Sequence, residues 1–124
     1  MIVMDASALL AYLFREAGHE MVESYIEQSC ISTVNLSEVA GRFVRDGIDA
    51  APLIEHIEQT AIKVIPFTQT HALLAANFIA QTQPYGLSLG DRACLGLAKE
   101  RQLAVLTADT AWSQLVGVEV VQIR

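Results

Sequence analysis

Basic side chains are scarce in this chain: eight lysines and arginines stand against fourteen aspartates and glutamates, for a net charge of −6. That deficit argues against tight, non-specific binding to nucleic acid through a broad basic surface. A nucleic-acid substrate stays open, because a divalent cation can bridge a local acidic site to phosphate. Cysteine is nearly absent. Cys30 and Cys94 stand in apolar surroundings with no second cysteine or histidine at ligand spacing. They are expected to be free, buried thiols in a reducing cytoplasm, not a disulfide or a zinc site. No apolar run approaches the ~20 residues needed to cross a bilayer, so no membrane contact is expected. No basic segment precedes the apolar N-terminal residues, as a signal peptide would require. Repeats, low-complexity tracts and linkers are missing too.

Apolar residues, by contrast, are plentiful. They make up 52% of the 124 residues, with a mean hydropathy of +0.37. A single domain spanning residues 1–124, with a real core, is expected from that length. So much apolar surface on a small domain predicts that a partner covers some of it, either a second copy in a homodimer or another chain.

Five short segments read as strands: IVM, CISTV, KVIPF, AVLT and VEVVQI, each rich in Val, Ile or Thr. Helical patterns lie between them. Leu9, Leu10, Leu13 and Phe14 form a stripe after the first strand. Asn35 is expected to cap the helix after CISTV, and Asp49 the next, with Pro52 in its first turn. Another helix runs through Leu74, Ala75, Phe78 and Ile79. PYG then breaks the chain, and Ser88 starts a helix reaching about Gln102. Trp112 and Leu115 fit a short helix before the last strand, where packing suits Trp112 better than stacking on a base. Continuous apolar strands alternating with helices predict a parallel sheet covered on both faces, an α/β fold of three layers, α/β/α.

Four carboxylates take special places on that map. Asp5 ends the first strand, Glu38 lies in NLSE after the second, Asp91 lies in SLGD, and Asp109 follows the fourth in LTAD. Each alone has an ordinary explanation. Asn35 to Glu38 and Ser88 to Asp91 match a capping-box spacing, and Asp5 and Asp109 are reasonable helix caps. Together they say more, because βα junctions of a parallel sheet all open onto its carboxyl edge. Asp91 can join the others there if the PYG segment loops upward. Two like charges ~4 Å apart cost about 4 kcal/mol even at an effective dielectric of 20, and a divalent cation removes that cost. Hard oxygen ligands select magnesium or manganese over zinc. His19, His56 and His71 lie away from the acids and are expected to be solvated. A magnesium ion held by carboxylates suits phosphodiester hydrolysis.

MDASALLAYL, SEVAGRF, LSLGDRACLGLAKE and VLTADTAW together resemble a PIN-domain ribonuclease, specifically a VapC-type toxin of a toxin–antitoxin pair. The resemblance covers the whole chain. It implies a PIN-like fold with a central five-stranded parallel sheet and a catalytic quartet at Asp5, Glu38, Asp91 and Asp109. It also implies Mg2+ or Mn2+ held directly by Asp5 and Asp91, with Glu38 and Asp109 completing the pocket directly or through water. The family often begins with Asp-Thr-Ser where this chain has Asp5-Ala6-Ser7. Ser7 is kept for a hydrogen bond near the metal, and Thr107 would support the pocket. The activity implied is that of a toxin cutting a structured RNA, tRNA or rRNA, to inhibit translation. A cognate antitoxin would occupy the acidic cleft, plausibly inserting a basic residue.

Arg15 ends the first helix, while Arg42 and Arg45 follow Glu38 at i+4 and i+7 on one helix face. One reading is a solvated face with Arg42 paired to Glu38; the other is that Arg15, Arg42 or Arg45 holds the phosphates of an RNA substrate. A rival reading of the whole chain is a catalytically idle PIN-fold module that acts by binding protein, against which the complete quartet speaks. A phosphate-receiver domain needs an acceptor Asp at the end of strand three, but KVIPF runs into Thr68. Aspartate-nucleophile phosphatases usually carry a second Asp where this chain has Ser7.

Overall fold

A computed structural model describes all 124 residues. Strands β1 (Ile2–Met4), β2 (Ser29–Ser32), β3 (Lys63–Ile65), β4 (Ala104–Thr107) and β5 (Val120–Gln122) form one sheet in the order β3-β2-β1-β4-β5. Every pairing is parallel. The most apolar strand, β1, takes the centre, where both of its faces are buried. Lys63 opens edge strand β3 and is exposed.

Strand alternation then divides the core. Ile2 and Met4 pack on one side with α1 (Ala6–Phe14), α2 (His19–Tyr25), α3 (Thr33–Arg45) and α4 (Ala51–Glu58) through Leu9, Val22, Val39 and Ile57. Val3, between them, faces the other side and meets Leu95 and Leu97 of α7 (Leu89–Arg101), with Trp112. On that side α5 (Gln69–Asn77) packs against α7, and the short α6 (Ile79–Thr82) follows. The result is the expected three-layer α/β/α arrangement. Cys30 and Cys94 are free and buried within the second cluster. Trp112 is fully buried in a 3-10 turn, Thr110–Gln114, in a packing role.

Four local expectations need correction. The second strand ends at Ser32, whose hydroxyl caps α3 by accepting from Val34 N–H, so Asn35 sits inside the helix, not at its cap. Ala50, not Asp49, is the N-cap residue of α4, although Asp49 accepts from Ala51 N–H at 3.1 Å. His71 is buried, not solvated. Its Nδ1 accepts from Thr68 N–H in a capping box, which leaves the ring proton on Nε2, 2.7 Å from Glu100 Oε1. The long helix expected through Ile79 breaks at Phe78, and the chain passes through a 3-10 turn at Gln83–Tyr85 to Gly86, whose φ of +67° suits a residue without a Cβ.

One feature of the topology sets up the site. The chain moves outward from β1 to β3, then returns to place β4 on the other side of β1. Adjacent strands whose connections leave in opposite directions open a crevice at their carboxyl ends. Asp5 follows β1 there, and Ala108 and Asp109 follow β4.

Candidate functional site

Asp5 is the N-cap of α1 and is 3% exposed. Its carboxylate is held from three directions. Oδ1 accepts from Ser7 Oγ–H at 2.7 Å and from Ala8 N–H at 2.9 Å, while Oδ2 accepts from Thr107 Oγ1–H at 2.6 Å. Each hydroxyl is itself anchored: Ala108 N–H donates to Ser7 Oγ at 2.9 Å, and Asp109 N–H donates to Thr107 Oγ1 at 3.0 Å. Two relays therefore run from the β4 junction through a hydroxyl to each oxygen of Asp5. They exist because parallel pairing of β1 with β4 sets Met4 opposite Leu106 and carries both chains past the same edge.

Asp91 and Glu38 approach from the helices. Ser88 caps α7 in a complete capping box, in which Asp91 Oδ2 accepts from Ser88 N–H at 2.8 Å. The bland reading of Asp91 is thus realised, yet its charge is felt by both other acids. Glu38 lies in the second turn of α3, and its Oε1 accepts from Asn35 Nδ2 at 2.8 Å. The same amide donates to the Gly90 carbonyl at 2.9 Å, joining α3 to the turn that carries Asp91. Asp109 caps the Trp112 turn by accepting from Ala111 N–H, and its backbone joins the Asp5 network through Thr107.

The electrostatics follow from this crowding. Burial pushes the Asp5 carboxyl up to about 6, against the lowering effect of its three hydrogen bonds, and Asp91 adds to the rise. Burial also raises Glu38, opposed by the Asn35 hydrogen bond and assisted by the Asp91 charge. Cys94 is raised by burial and then by Asp5, Asp91, Cys30 and Glu38, which places this thiol beneath the acids. Asp5, Glu38 and Asp91 are therefore one electrostatic group, while Asp109 is joined to it by hydrogen bonding alone.

Could such a group hold a cation? Its donors are carboxylate and hydroxyl oxygens, the set suited to magnesium or manganese. No three Asp, Glu, His or Cys side chains come close enough to form an all-protein cage. Magnesium rarely needs one, since it keeps several waters and takes one or two carboxylates plus substrate phosphate. The residues present fit that mode.

The arginines are placed differently. Arg15 is the C-cap of α1, ten residues and about 15 Å along the axis from Asp5. It lines a polar cavity of about 190 Å³ with Tyr12, His19, Glu23 and His56, apart from the acids. Arg42 pairs with Asp46 at 3.4 Å, not with Glu38, and its guanidinium lies 5.7 Å from the Phe14 ring centre. Arg45 closes α3 about 10 Å beyond Glu38 and is exposed. None of the three meets the carboxylates. Two residues that sequence reasoning missed do meet them: Asn35, assigned to a cap, and Gly90, where an added Cβ would overlap the Glu38 carboxyl.

A pH dependence follows. A carboxyl whose folded pKa exceeds its unfolded value binds its proton more tightly when folded, so its contribution to stability is full below the unfolded value and is lost as pH rises through the folded one. For Asp5 the window runs from 3.8 to about 6, worth about 3 kcal/mol. Urea denaturation of the metal-free protein is expected to show stability falling across that window, and Asp5→Asn is expected to flatten the fall. A wild-type profile that rises from pH 4 to 6 and is unaltered by Asp5→Asn would contradict it.

A model of the family described as PIN domain matches residues 2–118. No curated protein matches the chain by sequence. Among solved structures, a toxin–antitoxin complex from Klebsiella pneumoniae is similar at a TM-score of 0.77 and 19% identity, over 100% of this chain and 98% of that one. DNA-bound VapBC from Salmonella typhimurium matches at 0.74 and 18%, over the full length of both. VapC20 from Mycobacterium tuberculosis, a toxin that cleaves the sarcin–ricin loop, matches at 0.73 and 15%, over 96% of this chain and 99% of that one. At these identities the likeness is one of fold, and the match over 2–118 adds sequence to it: this chain belongs to the PIN domain family.

Proposed function

We propose that the chain is a metal-dependent endoribonuclease and the toxin of a toxin–antitoxin pair. The observation that carries this reading is the convergence of Asp5, Glu38 and Asp91 into one electrostatic group at the β1–β4 crevice, with Asp109 linked to it through Thr107. Asp5 and Asp91 would hold Mg2+ or Mn2+. When bound, such an ion lowers the pKa of water and offsets negative charge growing at phosphorus.

The chain's own residues do the rest. Ser7 and Thr107 fix the plane of the Asp5 carboxylate, so its remaining lone pairs point in set directions. Glu38, whose carboxyl is raised by partial burial and by the Asp91 charge, would accept a proton from the attacking water. Asp109 completes the acidic wall, directly or through water. Arg42 and Arg45, on the exposed run of α3 beyond Glu38, would meet phosphates further along the RNA strand.

The similarity to toxins in complexes with their antitoxins supports a cognate antitoxin as partner, and the sarcin–ricin-loop toxin supports a structured RNA, tRNA or rRNA, as substrate. Exposed apolar side chains such as Phe14, Val44 and Ile48 offer surface for a partner chain, the antitoxin or a second copy.

Cleavage of total RNA is expected with Mg2+ or Mn2+ and is expected to stop with chelator. Asp5→Asn and Asp91→Asn are each expected to reduce it by on the order of 10² to 10³. Absence of cleavage with every divalent metal would defeat the enzyme reading and favour the idle, protein-binding module. In RNA-binding measurements, Arg42→Ala is expected to weaken affinity and reduce the salt slope by about one. An unchanged slope would remove Arg42 from the substrate path.

A further inference from the structure

Asn35 is fully buried in the first turn of α3, where a polar side chain persists only if its hydrogen bonds are met inside the protein. Its Nδ2 donates to Glu38 Oε1 at 2.8 Å and to the Gly90 carbonyl at 2.9 Å. Both partners accept, which fixes the orientation of the amide. Asn35 Oδ1 is buried without any partner. None of this serves capping, because Ser32 already caps α3 and Ser88 caps α7. An apolar side chain would fill the space without stranding an oxygen.

Gly90 acts on the same carboxylate from the opposite helix. Its φ is not in the left-handed region, so the backbone does not demand glycine here. What a side chain here would displace is the carboxyl group of Glu38: an added Cβ would lie on it, and the movable end of the glutamate, not the backbone, would give way. Glu38 thus has a donor below it and a backbone wall beside it, and the wall belongs to the residue before Asp91.

We propose that Asn35 and Gly90 form a paired positioning device that locks the Glu38 carboxylate against the Asp91 turn. The proposal rests on reading the acids as a metal-holding group. Asn35 supplies direction and Gly90 supplies room, so the separation of Glu38 from Asp91 is set by the α3–α7 contact and not by the flexible glutamate side chain. Neither residue touches substrate.

The test is a pair of double-mutant cycles on the full chain, read by thermal unfolding and by Mn2+ titration calorimetry. Asn35→Ala and Gly90→Ala are each expected to weaken Mn2+ binding by about tenfold to a hundredfold in protein that remains folded by circular dichroism. In cleavage assays the loss is expected in kcat, with KM for RNA unchanged. In a Glu38→Ala background both effects are expected to vanish, because the carboxylate being positioned is gone. Gly90→Ala is also expected to lower Tm in the wild type but not beside Glu38→Ala, where the added methyl has room and alanine is the better helix former. If Gly90→Ala alone does not fold, its recovery on adding Glu38→Ala gives the same support. Unchanged Mn2+ affinity in folded Asn35→Ala and Gly90→Ala, or full additivity with Glu38→Ala, overturns the proposal. A wild type that takes up no Mn2+ sinks the metal reading instead. The Tm cycle then decides alone: non-additivity supports the positioning pair and additivity overturns it.

Discussion

Negative charge held out of water is the constraint on which this molecule turns. Asp5 is almost completely buried at the end of the central strand, Asp91 adds its charge to the burial of Asp5, and Glu38 in turn feels Asp91. Left alone, such a group is relieved by taking up protons, which is why Asp5 and Glu38 are both raised. Three hydrogen bonds keep the Asp5 carboxylate oriented but do not offset the cost of burying it. A fold optimised for stability alone would put an amide or an apolar residue at this position. Retaining the acid costs stability at neutral pH, a cost that a bound divalent cation would offset.

The rest of the architecture can be understood as holding that group in place. The sheet is only three to four residues deep, so its carboxyl edge lies close to the core and both junctions at the β1–β4 crevice begin near it. Parallel pairing puts the hydroxyls of Ser7 and Thr107, a hundred residues apart, on the two oxygens of one carboxylate. Helix α7 carries Asp91 at its N-terminus, while its buried face, through Cys94, Leu95 and Leu97, fixes that N-terminus to the sheet. A side chain on α3 then ties the two helices together at Gly90. Packing and chemistry are carried by the same elements here, and a shift in either helix would be felt among the acids.

Much of this was legible in the sequence, for identifiable reasons. Continuous apolar strands separated by helical stripes imply a covered parallel sheet, and the acids were traceable because each sits at an element boundary, where turn chemistry marks it. Ser7 and Thr107 were found because they flank those acids. Asn35 was misassigned because Ser32, buried and next to a β-branched residue, looked like the continuation of a strand; its capping role depends on a backbone turn that the local pattern does not announce. Gly90 carries no local signal at all, since its requirement comes from Glu38 on another helix. His71 failed likewise: an imidazole on an amphipathic helix reads as solvated until Glu100, twenty-nine residues on, supplies its partner. Contacts across elements were the unreadable part throughout. The spacing of Glu38 and Arg42 suggested an ion pair, but Arg42 turns to Asp46 and Phe14 instead.

Diffraction at the manganese edge from crystals soaked in Mn2+ examines the shared pocket most directly. An anomalous peak is expected between Asp5 and Asp91, with an oxygen of each at about 2.0–2.3 Å, distances typical of hard divalent ions. A peak bound elsewhere on the chain, or carboxylates of Asp5 and Asp91 that turn apart with no ion between them at saturating Mn2+, would contradict it.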